Sequence, residues 1–389
     1  TWNDNRNLNC FINDRRPYYY GTAGSTDKQI IWCTFACKIT DADGNLLYKD
    51  TSGTPAVYAT LENNSVENKA NAFGTLAYGD PGLYVKEDGE LTLYSGDYQI
   101  QMLVQDYTVS STSSVVYGKT VTLTTASTTP DEEGFYYTGD QKHPYAAIIR
   151  GTNFKNSMIT NRGNLTLTGI ILDGNAVFDS DGTYVSGAQA TDAGCLLSLK
   201  IASGNTSTTT IGANATLQNA YSSSNDGGGA VSFSNERAAL ILNGGTITNC
   251  HAAGSGGAVY IANSSDVFSF ESGTISNCSA VNGGAVYLAN KNNTRLNMSG
   301  GTITGCNATT AGGAIAVGGS SAKLYFSGKP TVMGNTLNGT TACNVQLDQD
   351  VPTMTGNNSN VAVIYARDLE NGAEIGRCSL STTDRKSVV

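Results

Sequence analysis

The segment Gly245-Thr-Ile-Thr-Asn-Cys250 carries the strongest structural signal in the chain, because close copies of it recur at a fixed interval. Gly273-Thr-Ile-Ser-Asn-Cys278 and Gly301-Thr-Ile-Thr-Gly-Cys306 follow, and each copy begins 28 residues after the previous one. A second motif, Gly-Gly-Ala followed by Val or Ile, keeps nearly the same interval at residues 228–231, 256–259, 283–286 and 312–315. A fixed period of this length is typical of proteins built from stacked supersecondary units.

Each repeat contains three short runs in which apolar and polar residues alternate. In one repeat these are Leu240-Ile-Leu242, the run centred on Ile247, and Val259-Tyr-Ile261. Alternating runs of this length between Gly and Asn residues predict β-strands. Three strands and three turns fit one coil of a parallel β-helix, whose coils stack about 4.8 Å apart. The sequence therefore predicts an all-β fold, a right-handed parallel β-helix of about 28 residues per coil.

The period predicts three regions of the chain. Residues 1–130 are expected to form an N-terminal cap and first irregular coils, with a separate small β-domain as the alternative. A short helix is expected within residues 60–75. Residues 131–370 are expected to form the parallel β-helix, with an insertion near 175–207. Residues 371–389 are expected to be the C-terminal tail of a truncated chain.

Three of the nine cysteines, Cys250, Cys278 and Cys306, occupy the same position in successive repeats. Stacked coils would bring neighbouring members close enough for a disulfide. The favoured interpretation is a row of small buried thiols, because unpaired cysteine is among the most buried residue types.

Composition excludes several classes of function. The chain has 389 residues, a formal charge of −9 and only 14% charged residues. An acidic chain does not favour nucleic acid, whose phosphates require a basic face. No apolar run reaches the roughly 18 residues of a membrane span, so we expect no membrane insertion. The chain begins at Thr1 without a basic and apolar leader, so we expect a secreted, monomeric fragment of a larger protein.

Catalytic side chains are sparse in the repeats. Glycoside hydrolysis needs two carboxylates about 5–10 Å apart. The acids of the repeat region do not recur at a position that would stack them on one strand face. His143 and His251 are the chain's two histidines. His251 is interpreted as a solvated turn residue. We therefore expect no catalytic residues and no enzyme activity.

The best acidic cluster, on or beside the insertion, consists of Asp192 and three further aspartates, Asp173, Asp179 and Asp181. Asp179-Ser-Asp181-Gly182 has the oxygen-ligand spacing that suits Ca²⁺. The same pattern is ordinary turn chemistry. These three aspartates are the candidate Ca²⁺ ligands, and otherwise no cofactor is expected.

The candidate ligand-binding residues are outward-facing positions of the predicted strands. If Val259 and Ile261 point inward, Tyr260 points outward, and Tyr287 stacks one coil above it. Arg295 and Tyr325 face outward on another strand. Aromatic surfaces suit sugar rings and protein partners. The alternative is that aromatic residues simply favour exposed strand positions.

Two families share these motifs. The Gly-Gly-Ala-(Val/Ile) motif and the apolar-x-x-(Cys/Asn) motif together resemble the repeats of chlamydial polymorphic membrane proteins, which are surface adhesins. In this chain Val332-x-x-Asn335 comes nearest to the second motif. The stretch Arg150–Asn175 and the segment Ser299–Cys306 resemble large sortase-anchored surface proteins of gut Gram-positive bacteria, which contain pectate-lyase-like β-helix domains. The resemblance covers roughly residues 80–370, and no sortase signal is present.

The resemblance implies an extracellular, cell-wall-anchored protein on a bacterial surface. We expect a non-catalytic adhesin or stalk module that binds a host glycan or glycoprotein. One fold can carry unrelated functions, so two alternatives stay open. One is an extracellular polysaccharide lyase or hydrolase of the β-helix fold. The other is a purely structural surface spacer.

Overall fold

The computed structural model describes sixteen segments of the chain. The segments are residues 17–20, 29–32, 37–45, 47–50, 57–60, 78–79, 97–129, 136–137, 144–178, 184–185, 194–201, 206–223, 227–235, 237–347, 364–370 and 373–375. Every regular element in these segments is a β-strand, and none of their residues lies in a helix. The helix predicted within residues 60–75 falls almost entirely outside them.

Short strands come first along the chain. They are β1 (Pro17–Tyr20), β2 (Gln29–Trp32), β3 (Cys37–Asp41), β4 (Leu47–Asp50), β5 (Val57–Thr60) and β6 (Tyr78–Gly79). β1 pairs with β2 and β4 pairs with β5, and both pairs are antiparallel.

From Tyr98 onward most strands pair in parallel. The first group is β7 (Tyr98–Met102), β8 (Asp106–Val109), β9 (Ser113–Val115), β10 (Thr120–Thr125), β11 (Ala147–Arg150), β12 (Ile159–Asn161), β13 (Asn164–Leu167), β14 (Ile171–Asp173), β15 (Val177–Phe178), β16 (Tyr184–Val185), β17 (Leu197–Leu199), β18 (Ser207–Ile211) and β19 (Thr216–Ser222). The second group is β20 (Val231–Phe233), β21 (Ala238–Ala252), β22 (Val259–Ile261), β23 (Val267–Ser276), β24 (Ser279–Asn282), β25 (Val286–Leu288), β26 (Arg295–Met298), β27 (Thr302–Thr304), β28 (Asn307–Ala311), β29 (Ile315–Val317), β30 (Lys323–Gly328), β31 (Thr331–Val332), β32 (Thr336–Leu337), β33 (Thr341–Ala342), β34 (Val345–Leu347), β35 (Ile364–Leu369) and β36 (Glu374–Ile375).

The parallel strands form three columns, and each repeat adds one layer to every column. The first column contains β7, β10, β13, β18, β21, β23, β26, β30 and β35. The second column runs beside it through β8, β11, β14, β19 and the later halves of β21 and β23, and on to β36. The third column is an eight-stranded sheet of β9, β12, β17, β20, β22, β25, β29 and β34. β3 pairs antiparallel with β7 at the start of the first column.

Equivalent residues of successive repeats lie directly opposite each other. Val259 is in register with Val286, which is in register with Ile315. The apolar residues of all three runs are buried, so each column contributes rows of apolar side chains to one continuous core. The predicted inward-facing rows are confirmed. Burial of these rows is the main favourable contribution to the free energy of folding.

The Gly-Gly-Ala motif owes its composition to close backbone packing. Its first glycine has positive φ in three of the four copies, as Gly256 does at 71°. The second allows close approach, because a Cβ on Gly257 would overlap the carbonyl oxygen of Gly284 in the next repeat. The third position is small and fully buried, as Ala258 is. Only glycine meets the first two requirements without strain.

One turn position before each repeated cysteine has left-handed backbone. Asn219, Asn249 and Asn277 have φ of 51°, 51° and 53°, and Gly305 and Gly334 take over the position in the later repeats. Asn and Gly are the residues that adopt this conformation most readily. At this position the asparagine side chains of successive repeats lie above one another on the outside of the second column, as Asn249 lies above Asn219.

Arg150 anchors the boundary of the insertion. Its side chain is fully buried, and its two terminal nitrogens donate to four backbone carbonyls, those of Phe154, Asn156, Gly194 and Cys195. Burial lowers the pKa of this guanidinium to about 10. The arrangement ties residues before the insertion and residues within it to one charged group, because each carbonyl accepts a charge-assisted hydrogen bond.

The described residues contain no helical segment that could span a membrane.

Candidate functional site

Tyr260 and Tyr287 form a stacked pair on the outer face of the third column. They are in register on β22 and β25, and their ring centroids lie 5.7 Å apart at an interplanar angle of 12°. Both side chains are half-buried. The in-register tyrosines predicted from the sequence are therefore brought together.

Small residues flank this tyrosine pair. Ser232 precedes Tyr260 in the row, and Ala316 follows Tyr287. Gly318 lies against the Tyr287 hydroxyl, where a Cβ would overlap it. The pair is therefore a two-ring aromatic strip with small side chains at each end.

Arg295 and Tyr325 lie on a different surface from the tyrosine pair. They belong to β26 and β30 of the first column, where Arg295 is in register with Lys323 and Asn297 with Tyr325. Arg295 is exposed and Tyr325 is half-buried. The four residues predicted to bind ligand therefore occupy two sheet faces.

Asp173 is engaged by hydrogen bonds from nearby amides. Its Oδ1 accepts the backbone N–H of Asn175 at 2.7 Å. Its Oδ2 accepts from Gln218 Nε2 at 2.7 Å and from Asn219 Nδ2 at 2.9 Å. Both carboxylate oxygens therefore already have donors.

Asp179 and Asp181, the other two candidate Ca²⁺ ligands, lie outside the described residues. Within the described part of the chain, no group of three or more His, Cys, Asp or Glu residues could hold a metal ion. The Ca²⁺ site remains a prediction. The segment Asp41–Asn45 has the same Asp-x-Asp-Gly pattern as Asp179–Gly182. Its Asp41 carboxylate accepts hydrogen bonds from the backbone N–H groups of Asp43 and Asn45 and from the Asn45 side chain, as in an ordinary turn.

The interpretation of His251 as a solvated turn residue is wrong. His251 lies within strand β21 and is only 6% exposed. The Phe178 ring, from the insertion, lies over it with the ring centroids 3.8 Å apart. This covering removes water from the imidazole and lowers its pKa to about 4.

A chain of hydrogen bonds connects His251 to Asp173 across neighbouring repeats. Ser279 Oγ is 2.5 Å from His251 Nδ1, and His251 Nε2 is 3.1 Å from Asn249 Oδ1. Asn249 Nδ2 donates to Asn219 Oδ1 at 2.8 Å, and Asn219 Nδ2 donates to Asp173. We refer to these five residues as the Asp173–Ser279 chain. This hydrogen-bonded chain was not predicted from the sequence, although the asparagine before Cys250 and before Cys278 indicated a repeated polar position there.

The stacked cysteines are buried, unpaired thiols, as favoured from the sequence. The sulfurs of Cys250 and Cys278 each lie 3.2 Å from the backbone carbonyl two residues earlier. Burial raises the pKa of Cys278 and Cys306 well above the usual value. Cys343 is disulfide-bonded, and its partner lies outside the described residues.

The fold and these surfaces define an all-β protein with long parallel sheets and stacked outward-facing rows of side chains. The chain matches no protein-family model, no curated protein and no solved structure. Its function must therefore be argued from its own geometry.

Proposed function

We propose that the chain is a right-handed parallel β-helix that serves as a binding module on a bacterial cell surface, where it contacts a host glycan or glycoprotein. In this proposal the module belongs to a larger, cell-wall-anchored extracellular protein. Binding, rather than cleavage of the glycan, is its role.

The repeated pairing supports the helical form of the stack. The chain visits the first, second and third columns in the same order in each repeat, and it returns to the first column in parallel register. Connections between parallel strands of a sheet are right-handed in about 98% of cases. The repeated order of the columns and this preference together support a right-handed coil.

The stacked pair Tyr260 and Tyr287 carries the binding proposal. Aromatic rings provide large contact area with little loss of conformational entropy, and tyrosine is enriched at interfaces where one side is apolar and the other wet. The hydroxyl groups can supply hydrogen bonds beside the rings. A flat strip of two parallel rings matches the apolar face of a sugar ring or a flat epitope.

The experiment measures binding of the purified chain to an array of mucin glycans and host glycoproteins, with Ca²⁺ and with chelator. We expect a reproducible ligand whose affinity falls about 5- to 30-fold in the double variant Tyr260→Ala/Tyr287→Ala. Loss of two stacked aromatic contacts of about 1–2 kcal/mol in total has this effect.

Tyr117→Ala is the matched control, because Tyr117 is an exposed tyrosine, 56% accessible, outside the repeats that carry the pair. Its affinity should equal that of the wild type. An array without any ligand would favour the surface-spacer function instead. A ligand retained by the double variant would move the site elsewhere, with Arg295→Ala and Tyr325→Ala as the next variants.

A further inference from the structure

The Asp173–Ser279 chain fixes which nitrogen of His251 carries the proton. Asp173 can only accept hydrogen bonds, so the Asn219 amide must present its N–H to it and its oxygen to Asn249. The Asn249 amide is thereby oriented too, and its oxygen faces His251 Nε2. His251 Nε2 must therefore donate, which leaves Nδ1 as an acceptor for the Ser279 hydroxyl. The orientation follows from hydrogen-bonding capacity at every step.

This geometry matches the arrangement that activates a serine nucleophile. A base accepts the hydroxyl proton, and a third group orients the base through its other ring nitrogen. Ser279 Oγ and His251 Nδ1 are 2.5 Å apart, and Asn249 is the orienting group. Ser279 is half-buried rather than fully buried.

Asn307 lies on the other side of Ser279 from His251. Ser279 is in register with His251 on one neighbouring repeat and with Asn307 on the other. Asn307 Oδ1 accepts from Thr336 Oγ1 and from the Gly339 backbone, which turns its Nδ2 the other way. No described residue accepts a hydrogen bond from that Nδ2. A side-chain amide about one strand spacing from the nucleophile is a suitable donor to a developing oxyanion.

We propose that Ser279, His251 and Asn307 form a catalytic site that hydrolyses small carboxylic esters, such as acetyl esters carried by a glycan. This activity goes beyond the binding role proposed above and departs from the expectation that the chain is not an enzyme. Asp173, Asn219 and Asn249 are positioning residues that act through His251.

The reaction proceeds in two balanced steps. Ser279 Oγ attacks the ester carbonyl carbon and its proton passes to His251 Nδ1, while the carbonyl oxygen gains negative charge beside Asn307 Nδ2. The ester C–O bond breaks, and the alcohol leaves with the proton from Nδ1. Water then attacks the acyl group on Ser279 and gives a proton to Nδ1. The carboxylic acid departs, and Ser279 Oγ recovers its proton.

The pH dependence of the reaction follows from the burial of His251. Burial is the cause that lowers the pKa of this imidazole to about 4. Among the described residues packed against it, Tyr221, in register on the preceding repeat, is titratable, and Phe178, Asn249 and Ser279 are uncharged. The imidazole is therefore unprotonated and able to act as base down to about pH 4. An unperturbed histidine would lose this ability near pH 6.5.

The first experiment treats the full chain with a fluorophosphonate probe and locates the label by peptide mass spectrometry. We expect the label on Ser279, where Oγ displaces fluoride from phosphorus. Ser279→Ala should abolish the label, and His251→Gln should slow labelling about 100-fold. Ser272→Ala is the matched control, because Ser272 lies on the same repeat but donates to a neutral amide, Asn243.

The second experiment measures hydrolysis of 4-nitrophenyl acetate between pH 3.5 and 8. We expect turnover that is constant above about pH 5 and half-maximal near pH 4, and that disappears in Ser279→Ala. Asp173→Asn should lower kcat several-fold with KM unchanged, because the Asp173–Ser279 chain loses the carboxylate that orients the Asn219 and Asn249 amides. A merely structural role of Asp173 would not separate kcat from KM.

The proposal is overturned if Ser279 is labelled no faster than Ser272, or if Ser279→Ala hydrolyses the ester as fast as the wild type. A pH midpoint near 6.5 that survives in His251→Gln would also overturn it. Glycan binding at Tyr260 and Tyr287 is measured separately, so either proposal can fail while the other stands.

Discussion

At the scale of single residues, the second glycine of each Gly-Gly-Ala motif sets how closely successive repeats approach. Gly229, Gly257 and Gly284 each lie where a Cβ would overlap the carbonyl oxygen of the equivalent glycine in the next repeat. The overlap is with backbone, which cannot move away without breaking the parallel pairing. Glycine therefore recurs at the second position of the motif because this backbone contact recurs between successive repeats.

Gly257→Ala should lower the free energy of unfolding by about 3 kcal/mol or more, because its Cβ would force neighbouring backbone apart. Chemical denaturation measures the change. Gly118→Ala is the control, since Gly118 has a φ of 75° but open space around its Cβ. It should lose only about 1–2 kcal/mol, the usual penalty for left-handed backbone. Equal losses in the two variants would contradict the role of close approach.

At the scale of elements, the hairpin of β15 and β16 alters the chemistry of a strand far from it in sequence. β15 pairs antiparallel with β16, and Phe178 at its end covers His251 of β21. The hairpin thus connects the insertion to the regular repeats through the aromatic contacts of Phe178 with His251 and with Tyr221 of β19. The consequence is a histidine that stays neutral well below its usual pKa.

Acid should remove stability through His251. The pKa of this imidazole is about 4 in the folded chain and about 6.5 when unfolded. Between these values the unfolded chain binds a proton that the folded chain does not, so stability falls as pH falls through this window. The loss should be roughly 2–3 kcal/mol by pH 4.5 relative to pH 7.

Urea unfolding at both pH values measures this loss as the difference between the wild type and His251→Gln, in which the contribution should vanish. Phe178→Ala should retain a smaller loss, because exposure raises the pKa of His251 toward its usual value. His143→Gln is the control with the chain's other histidine changed. A wild-type loss no greater than that of His251→Gln would refute the assignment.

The strands and their inward rows were predictable, because each is encoded by local alternation that the repeat displays several times over. The register of Tyr260 with Tyr287 followed from the same period. The environment of His251 was not predictable, because it depends on Phe178, which the sequence places 73 residues earlier in an insertion without the repeat. The hydrogen-bonded asparagines depended equally on contacts between repeats.

At the scale of the whole molecule, every repeat is held by pairing with the repeats before and after it. Cys250, Cys278 and Cys306 lie on three successive layers and report on each of them. Their burial makes them inert while the layers remain closed, since a thiol reacts as its exposed thiolate. The row therefore provides a built-in measure of how cooperatively the stack opens.

Pulsed alkylation across a urea gradient should modify none of these three thiols in the native chain, and all three over the same narrow range of urea. Strong coupling between adjacent layers is the reason. Mass spectrometry of the separated peptides measures each one. Cys195, a buried thiol in the range of the insertion, provides a comparison. Modification of Cys278 before its two neighbours would contradict cooperative opening.

The in-register stacking has an evolutionary consequence. Because the parallel strands pair between consecutive repeats and equivalent residues face one another, a gene could gain or lose one repeat unit by unequal recombination without disturbing the pairing elsewhere. Such an event would lengthen or shorten the stack of repeats by one layer and leave the reading frame intact. The length of the stack would then be an inherited quantity that selection can adjust in discrete steps.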